Sequence, residues 1–402
     1  MVNVTNPEHV DAGYIAADKS DSLLQSAMIP SPCVQNHAAN LMPFPNGDMG
    51  CVWFGGTQEG MSDISVYFAR LPAGSNQWLA PVKLSDDATR SEQNPILFPT
   101  PDGKLWLIWT AQVSGNQDTA FVRRRISSDN GVTWGPIEPL FPQTPGRGLF
   151  IRQPVVVLAN GDWLLPVFYC PTVPGKKWVG DFDTSAVKLS SDQGLTWREV
   201  EVPESVGCVH MCINVLDDGT LLALYRSRWA DHIYQSRSTD GGQTWSVPTP
   251  TTLPNNNSSI QATKLSNGHV ALVFNNTSAA NATERRASLY DEIEDDEDAG
   301  TASVEATATP SSDRTAFWGT PRAPMTVAIS RDGGQTWLMR NIETGDGYCM
   351  TNNSRDRTNR ELSYPSIKQT DDGVIHVAYT HFRQAIKYVR FDESWVFQGV
   401  QG

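Results

Sequence analysis

The chain has 402 residues, 39% hydrophobic and 19% charged, with 13 Trp and a formal net charge of −13. That is enough apolar text for a large core, yet no run of 18 apolar residues occurs, which excludes a membrane-spanning helix. The acidic balance argues against nucleic acid and anionic membrane surfaces as partners, although a local arginine cluster can still receive an acidic ligand. The opening MVNVTNPEHVDAGY has neither a basic n-region nor an apolar h-region. It does not read as a signal peptide, so the protein is expected to be leaderless and cytoplasmic, or secreted with its leader already removed.

Along the chain, residues 10–30 read as a strand that closes a ring. Six units follow, at roughly 34–85, 90–142, 149–203, 207–252, 256–345 and 359–398. Each holds a hairpin signal between short apolar runs: Asn46-Gly47, Asp102-Gly103, Asn160-Gly161, Asp218-Gly219, Asn267-Gly268 and Asp372-Gly373. Such pairs suit type I′ turns. A second motif, Ser-x-Asp-x-Gly-x-Thr-Trp, recurs as SSDNGVTW at 127–134, SSDQGLTW at 190–197, STDGGQTW at 238–245 and SRDGGQTW at 330–337. Its Asp can accept the turn's own N–H groups, so Asp129, Asp192, Asp240 and Asp332 are assigned to folding. The fifth unit carries an insertion, about 278–318, whose acidic and Ser/Thr/Ala-rich text reads as a solvated loop. The spacing of about one four-stranded blade predicts an all-β, six-bladed β-propeller filling residues 1–402 as a single domain; seven blades would need an extra hairpin inside the fifth unit.

In a propeller the first strand of each blade lines the central channel. Counting back eight residues from each hairpin Asn or Asp gives Ala38 (with His37 beside it), Asn94, Arg152, His210, Ser259 and Tyr364. Arg, His, Tyr and Asn at matched depth, where apolar residues are the rule, read as a site.

The four boxes and the hairpin series resemble the sialidase-like BNR, or Asp-box, propeller families along nearly the whole chain. That resemblance implies a sialidase-type propeller in which the boxes lie away from the active site. It places Tyr364, in ELSYPSIKQTDDG, at the nucleophile, Arg226, in LLALYRSR, and Arg322, in GTPRAPMTVAISRDGG, in a carboxylate clamp, and Asp63 in the loop of the acid/base. Two departures stand out. His37 occupies the place of the first-blade Arg, and His210 that of the nucleophile's Glu partner.

His, Tyr and Arg together suit β-elimination from a uronate, so the site also looks like that of propeller-fold polysaccharide lyases, including those acting on ulvan or a rhamnosyl-glucuronate end. Arg152 would pair with the carboxylate, His210 (or His37) would take the α-proton, and Tyr364 would protonate the departing oxygen, with Arg226 and Asn94 orienting the sugar. The leading expectation is an exo-acting lyase on a terminal uronate. The alternatives are a retaining sialidase-type hydrolase, using Tyr364 and Asp63, and a glycan-binding propeller without catalysis. The expected partner is a carboxylate-bearing glycan, and the expected state a monomer.

Other features have blander readings. Glu361 and Glu59 are acids at the channel mouth or salt-bridge partners of Arg360 and Arg90. Trp53, Trp163 and Trp178 are packing residues before they are sugar platforms. Arg123, Arg124 and Arg125 read as a solvated strand. The six cysteines, two of them in C-x3-C spacing at Cys208 and Cys212, read as buried thiols rather than a zinc site. No cofactor is demanded. Some lyases use calcium, but the acids of the insertion lack the spaced oxygens of a calcium loop.

Overall fold

Gly47 shows how each unit is built. Its N–H donates to the Phe44 carbonyl at 2.9 Å and it sits at φ +85°, while Asn46 stays outside the left-handed region. The same bond and the same glycine conformation recur at Gly103, Gly161, Gly219, Gly268 and Gly373. A type I′ turn needs positive φ at both central residues. These hairpins are instead turns that hand over to a left-handed glycine, so the predicted turn class is corrected while the hairpins stand.

The computed structural model describes residues 13–173, 178–282 and 313–398. Its strands form six separate antiparallel sheets arranged as the blades of a ring. The inner strands of blades 1, 2, 4, 5 and 6 are Gln35–Pro43, Ser91–Pro99, Cys208–Val215, Gln261–Lys264 and Leu362–Gln369. In blade 3 the inner strand is split into Arg147–Ile151 and Val156–Val157, with Arg152 in the break. The strand Gln25–Ile29 pairs with Ala385–Phe391 of blade 6, closing the ring with text from the start of the sequence. Core clusters lie between blades: one joins Ile96 and Phe98 of blade 2 to Trp163 and Leu165 of blade 3. No described helix is long and apolar enough to cross a membrane. The acidic part of the predicted insertion, residues 283–312, lies outside the described residues.

The boxes fold as their composition demands. In blade 3, Asp192 Oδ1 accepts the Thr196 N–H at 2.9 Å and the Ser190 hydroxyl at 2.8 Å, and its Oδ2 accepts the Thr196 hydroxyl at 2.5 Å. Those hydroxyl and backbone bonds lower its carboxyl to about 2. The box joins the third and fourth strands, Thr184–Ser190 and Arg198–Glu201. Antiparallel order puts that turn at the same end as the Asn-Gly hairpins, opposite the starts of the inner strands.

Those starts share a backbone device. In blades 1, 2, 4 and 6 the ladder between the first two strands slips, between His37 and Asn40, Gln93 and Ile96, Val209 and Cys212, and Ser363 and Ser366. At each slip one non-glycine residue is left-handed: Ala38 (φ 62°), Asn94 (51°), His210 (54°) and Tyr364 (50°). Because an alanine does this as readily as a tyrosine, the bulge belongs to the architecture. Its effect is to turn the inner strand's polar start toward the axis.

Candidate functional site around Tyr364

Tyr364, half-buried, is ringed by charge. Arg226 Nη1 donates to its phenolic oxygen at 2.7 Å. The guanidiniums of Arg152, Arg226 and Arg322 lie 5.5, 5.6 and 5.6 Å from its ring centre, and the imidazoles of His37 and His210 lie 4.2 and 5.7 Å from it. Burial acts to raise the phenol, and Glu59 adds to that. Arg226, Arg322 and Arg228 outweigh both and bring it below its usual value of 10.

His210 is buried and stays neutral: burial, then Arg226 and Arg228, hold it well below the usual 6.5. Its tautomer follows from its partners. Arg226 Nη1, a pure donor, approaches Nε2 at 3.5 Å, so Nε2 carries the lone pair. Nδ1–H then donates to the Ser259 hydroxyl at 2.9 Å. His37 is also buried and neutral, lowered by burial and by Arg383 and Arg322; its Nδ1 lies 2.8 Å from the Thr380 hydroxyl.

The five arginines buried among the described residues differ in what balances them. Arg228 is held by Asp183 at 2.6 Å, which keeps it above its usual value despite burial. Trp178 also donates to Asp183, at 2.8 Å. Arg322 and Arg383 share Glu361, at 3.2 and 2.9 Å, and Arg383 also pairs with Glu59. Arg226 has only neutral partners: Asn257 Oδ1 at 2.8 Å, Tyr364 and His210. Burial lowers it to about 9. Arg152 likewise has only neutral partners, and burial lowers it to about 10. Two uncompensated guanidinium charges therefore sit at the axis, which suits an anionic ligand.

The predicted residues separate on this geometry. Tyr364, His210, His37, Arg226, Arg322, Ser259 and Glu361 converge. Arg152 converges too, but below the site: Nη2 donates to the carbonyls of Ala39, Tyr364 and Pro365 at 2.9, 3.0 and 3.1 Å, and Nε to Ser259 at 3.3 Å. It staples blade 3 to blades 1, 5 and 6 through Nη2 and Nε, and its Nη1, buried with no hydrogen-bond partner among the described residues, is the part left for a substrate carboxylate. Asn94 is buried at the same register in blade 2, with no hydrogen bond recorded for its side chain among the described residues. Asp63 is exposed and accepts the Thr57 N–H at 3.0 Å within its own loop.

Glu361 and Glu59 do form ion pairs, but not with the partners read from sequence. Arg360 pairs with Asp346 at 2.9 Å, and Arg90 lies over Phe121. Trp53 and Trp163 are core residues, 0% and 2% exposed. The arginine run is not simply solvated: Arg123 pairs with Asp87 and Glu92, Arg124 with Glu138, and Arg125 binds the carbonyls of Gly135, Leu84 and Trp134. All six cysteines are free thiols. Among the described residues no cluster of three or more His, Cys, Asp or Glu is placed to hold a metal ion.

Sequence reasoning missed Arg228, Asn257, Asp183 and Arg383. Arg228 was within reach, since it lies two residues from Arg226 and strand alternation puts both on one face. Arg383 lies in a hairpin loop, His381-Phe382-Arg383-Gln384, that lacks the usual turn residues, which is itself a signal.

The model for the BNR repeat-like domain matches residues 47–377. The chain belongs to that family. No curated protein matches the sequence. Solved structures similar to this BNR chain include the Hadza microbial sialidase Hz136 (14% identity, TM-score 0.66, covering 90% of this chain and 66% of that one). Another is the intramolecular trans-sialidase from Ruminococcus gnavus (14%, TM-score 0.62, 91% and 96%). A third is a protein of unknown function from Dyadobacter fermentans (15%, TM-score 0.64, 92% and 98%). The BNR chain thus spans just under two thirds of the Hadza sialidase's length. At these identities the likeness is one of fold, that of a sialidase-type six-bladed propeller.

Proposed function

We propose that this protein is an exo-acting enzyme on a terminal, carboxylate-bearing sugar, and that Tyr364 attacks the anomeric carbon. The observation that carries this is the contact of Arg226 with the Tyr364 oxygen, made by an arginine without a counter-charge. The guanidinium favours the phenolate, and His210, whose ring lies 5.7 Å from that of Tyr364 and whose Nε2 lone pair faces the same Arg226 Nη1, is the base that takes the phenol's proton. Arg226 and Arg322 then face the sugar carboxylate. The Hadza and Ruminococcus proteins are a sialidase and a trans-sialidase by title, which makes a sialic acid the first sugar to try.

β-Elimination from a uronate is the second reading. It is favoured by one observation: the groups packed on Tyr364 are two neutral imidazoles, well suited to moving a proton to and from carbon. A glycan-binding role without turnover would leave the activated phenol unused.

The test is turnover of a fluorogenic α-sialoside by wild type, Tyr364→Phe and His210→Ala, beside uronate oligosaccharides followed in the ultraviolet. Label release that falls by at least about 10³-fold in Tyr364→Phe supports the first reading. An unsaturated uronate product, with the sialoside inert, would replace it with the second.

A further inference from the structure

The reading above uses Tyr364, His210, Arg226 and Arg322, and leaves a buried carboxylate at the mouth without a task. The departing glycosidic oxygen needs a proton, and Asp63, tied to Thr57 in its own loop, is exposed. Four residues earlier on the same loop, Glu59 is 5% exposed and points inward to Arg383. Its charge acts directly on the Tyr364 phenol.

The partner is held with care. Phe382 and Arg383 both lie in the left-handed region, at φ 55° and 57°. Each costs of order 1 kcal/mol in a non-glycine residue, and such strain survives where the surroundings enforce it. Here they do: the Arg383 carbonyl accepts the Asn36 N–H at 2.7 Å, and the Phe382 N–H donates to the Glu361 carbonyl at 2.8 Å. The strained loop delivers Arg383 to Glu59 on one side and Glu361 on the other. Glu361 in turn holds Arg322 and accepts the Ser363 hydroxyl at 2.7 Å. Glu59, Arg383, Glu361 and Arg322 thus form a chain of alternating charge beside Tyr364.

We propose, resting on the reading above, that Glu59 is the proton donor to the departing glycosidic oxygen and that Arg383 is its positioning residue. A ligand carboxylate drawn to Arg322 competes with Glu361 and Glu59 for the two guanidiniums. Glu59, displaced from Arg383, carries to the leaving oxygen a proton drawn from solvent. In the first step the Tyr364 oxygen bonds to the anomeric carbon and its proton passes to His210. The glycosidic bond breaks, its electron pair stays on the leaving oxygen, and that oxygen takes the Glu59 proton. In the second step the Glu59 carboxylate takes a proton from water as the water oxygen displaces Tyr364, and the departing phenolate takes its own proton back from His210.

The experiment compares two substrates within one enzyme: 3′-sialyllactose, whose leaving group needs a proton, and 4-nitrophenyl α-sialoside, whose leaving group does not. The ratio of their kcat/KM values does not depend on the fraction of folded protein. Glu59→Gln is expected to lower the sialyllactose-to-nitrophenyl ratio by at least about 10²-fold, the usual scale of general acid catalysis. Arg383→Met is expected to shift the alkaline limb of the kcat/KM–pH profile for sialyllactose, where a proton donor is lost as pH rises, and Arg383→Lys to restore part of that limb. An active wild type whose ratio is unchanged in Glu59→Gln, or a ratio that collapses in Asp63→Asn instead, overturns the role of Glu59 alone. A wild type inert on both sialosides overturns the proposed function and this role together.

Discussion

Replacing Arg226 by Met should make the protein more stable and inactive at once. Arg226 is 1% exposed and faces only neutral groups. Its fall from 12.5 to about 9 corresponds to on the order of 5 kcal/mol of unfavourable charge burial, at about 1.4 kcal/mol per pH unit. Methionine fills similar space without the charge. The loss on the other side is two good hydrogen bonds, about 1–1.5 kcal/mol each once water is counted. Asn257 keeps a contact with Arg228 at 3.5 Å, and the half-buried Tyr364 hydroxyl can turn to solvent. The balance favours Arg226→Met by about 2 kcal/mol, or a melting temperature roughly 2–3 °C higher for a chain of this size. The assay is a pair of thermal melts with turnover measured alongside, plus an ultraviolet titration in which the Tyr364 phenol should move back up. A variant that melts several degrees below wild type would refute the claim that this charge is uncompensated.

Arg152→Met should behave in the opposite way, because it orphans three buried carbonyls at about 1–3 kcal/mol apiece; a net loss of about 2 kcal/mol in a denaturant titration is expected. His376, lowered by burial from 6.5 to about 4, binds its proton more readily when unfolded, so its contribution is intact above pH 6.5 and about 3 kcal/mol is lost on descent to pH 4. Melting temperatures of His376→Gln should therefore fall less steeply between pH 6.5 and pH 4 than those of wild type. Asp332→Ala removes an acceptor of the Ser330 and Thr336 hydroxyls and the Gln335 and Thr336 N–H groups; it should cost about 1–2 kcal/mol of stability, like the loss of a helix cap, and leave turnover unchanged from the far end of the ring.

The architecture was legible because it is written repeatedly and locally. Each Asn-Gly or Asp-Gly pair and each Ser-x-Asp-x-Gly-x-Thr-Trp box specifies its own turn, and the count-back register landed on Ala38, Asn94, His210 and Tyr364, all four of the left-handed bulge residues. The turn class was misread, since Asn-Gly serves both a type I′ turn and a turn that ends on a left-handed glycine. The site was legible only where it repeats the register. Arg152 met the register and also binds backbone through Nη2, a second task that depends on which carbonyls meet at the axis. Glu59 and Arg383 lie 324 residues apart in loops without a repeat, and no local pattern pairs them. The choice between Asp63 and Glu59 turns on the path of a single loop.

Outside the Ala385–Phe391 strand, blade 6 is continued by Gln25–Ile29 and then Ala16–Ala17, so stretches far apart in the sequence complete one sheet. During synthesis the last blade pairs with a segment that left the ribosome well before it and must not commit elsewhere. Such a clasp makes assembly slow, because its chain-closure entropy is met only at the final step. It also makes disassembly slow, since no blade can peel away as a free edge until the clasp gives. Trimming residues 13–30 should leave five blades' worth of intact local pairings and a molecule that opens and aggregates far faster than its equilibrium contacts suggest.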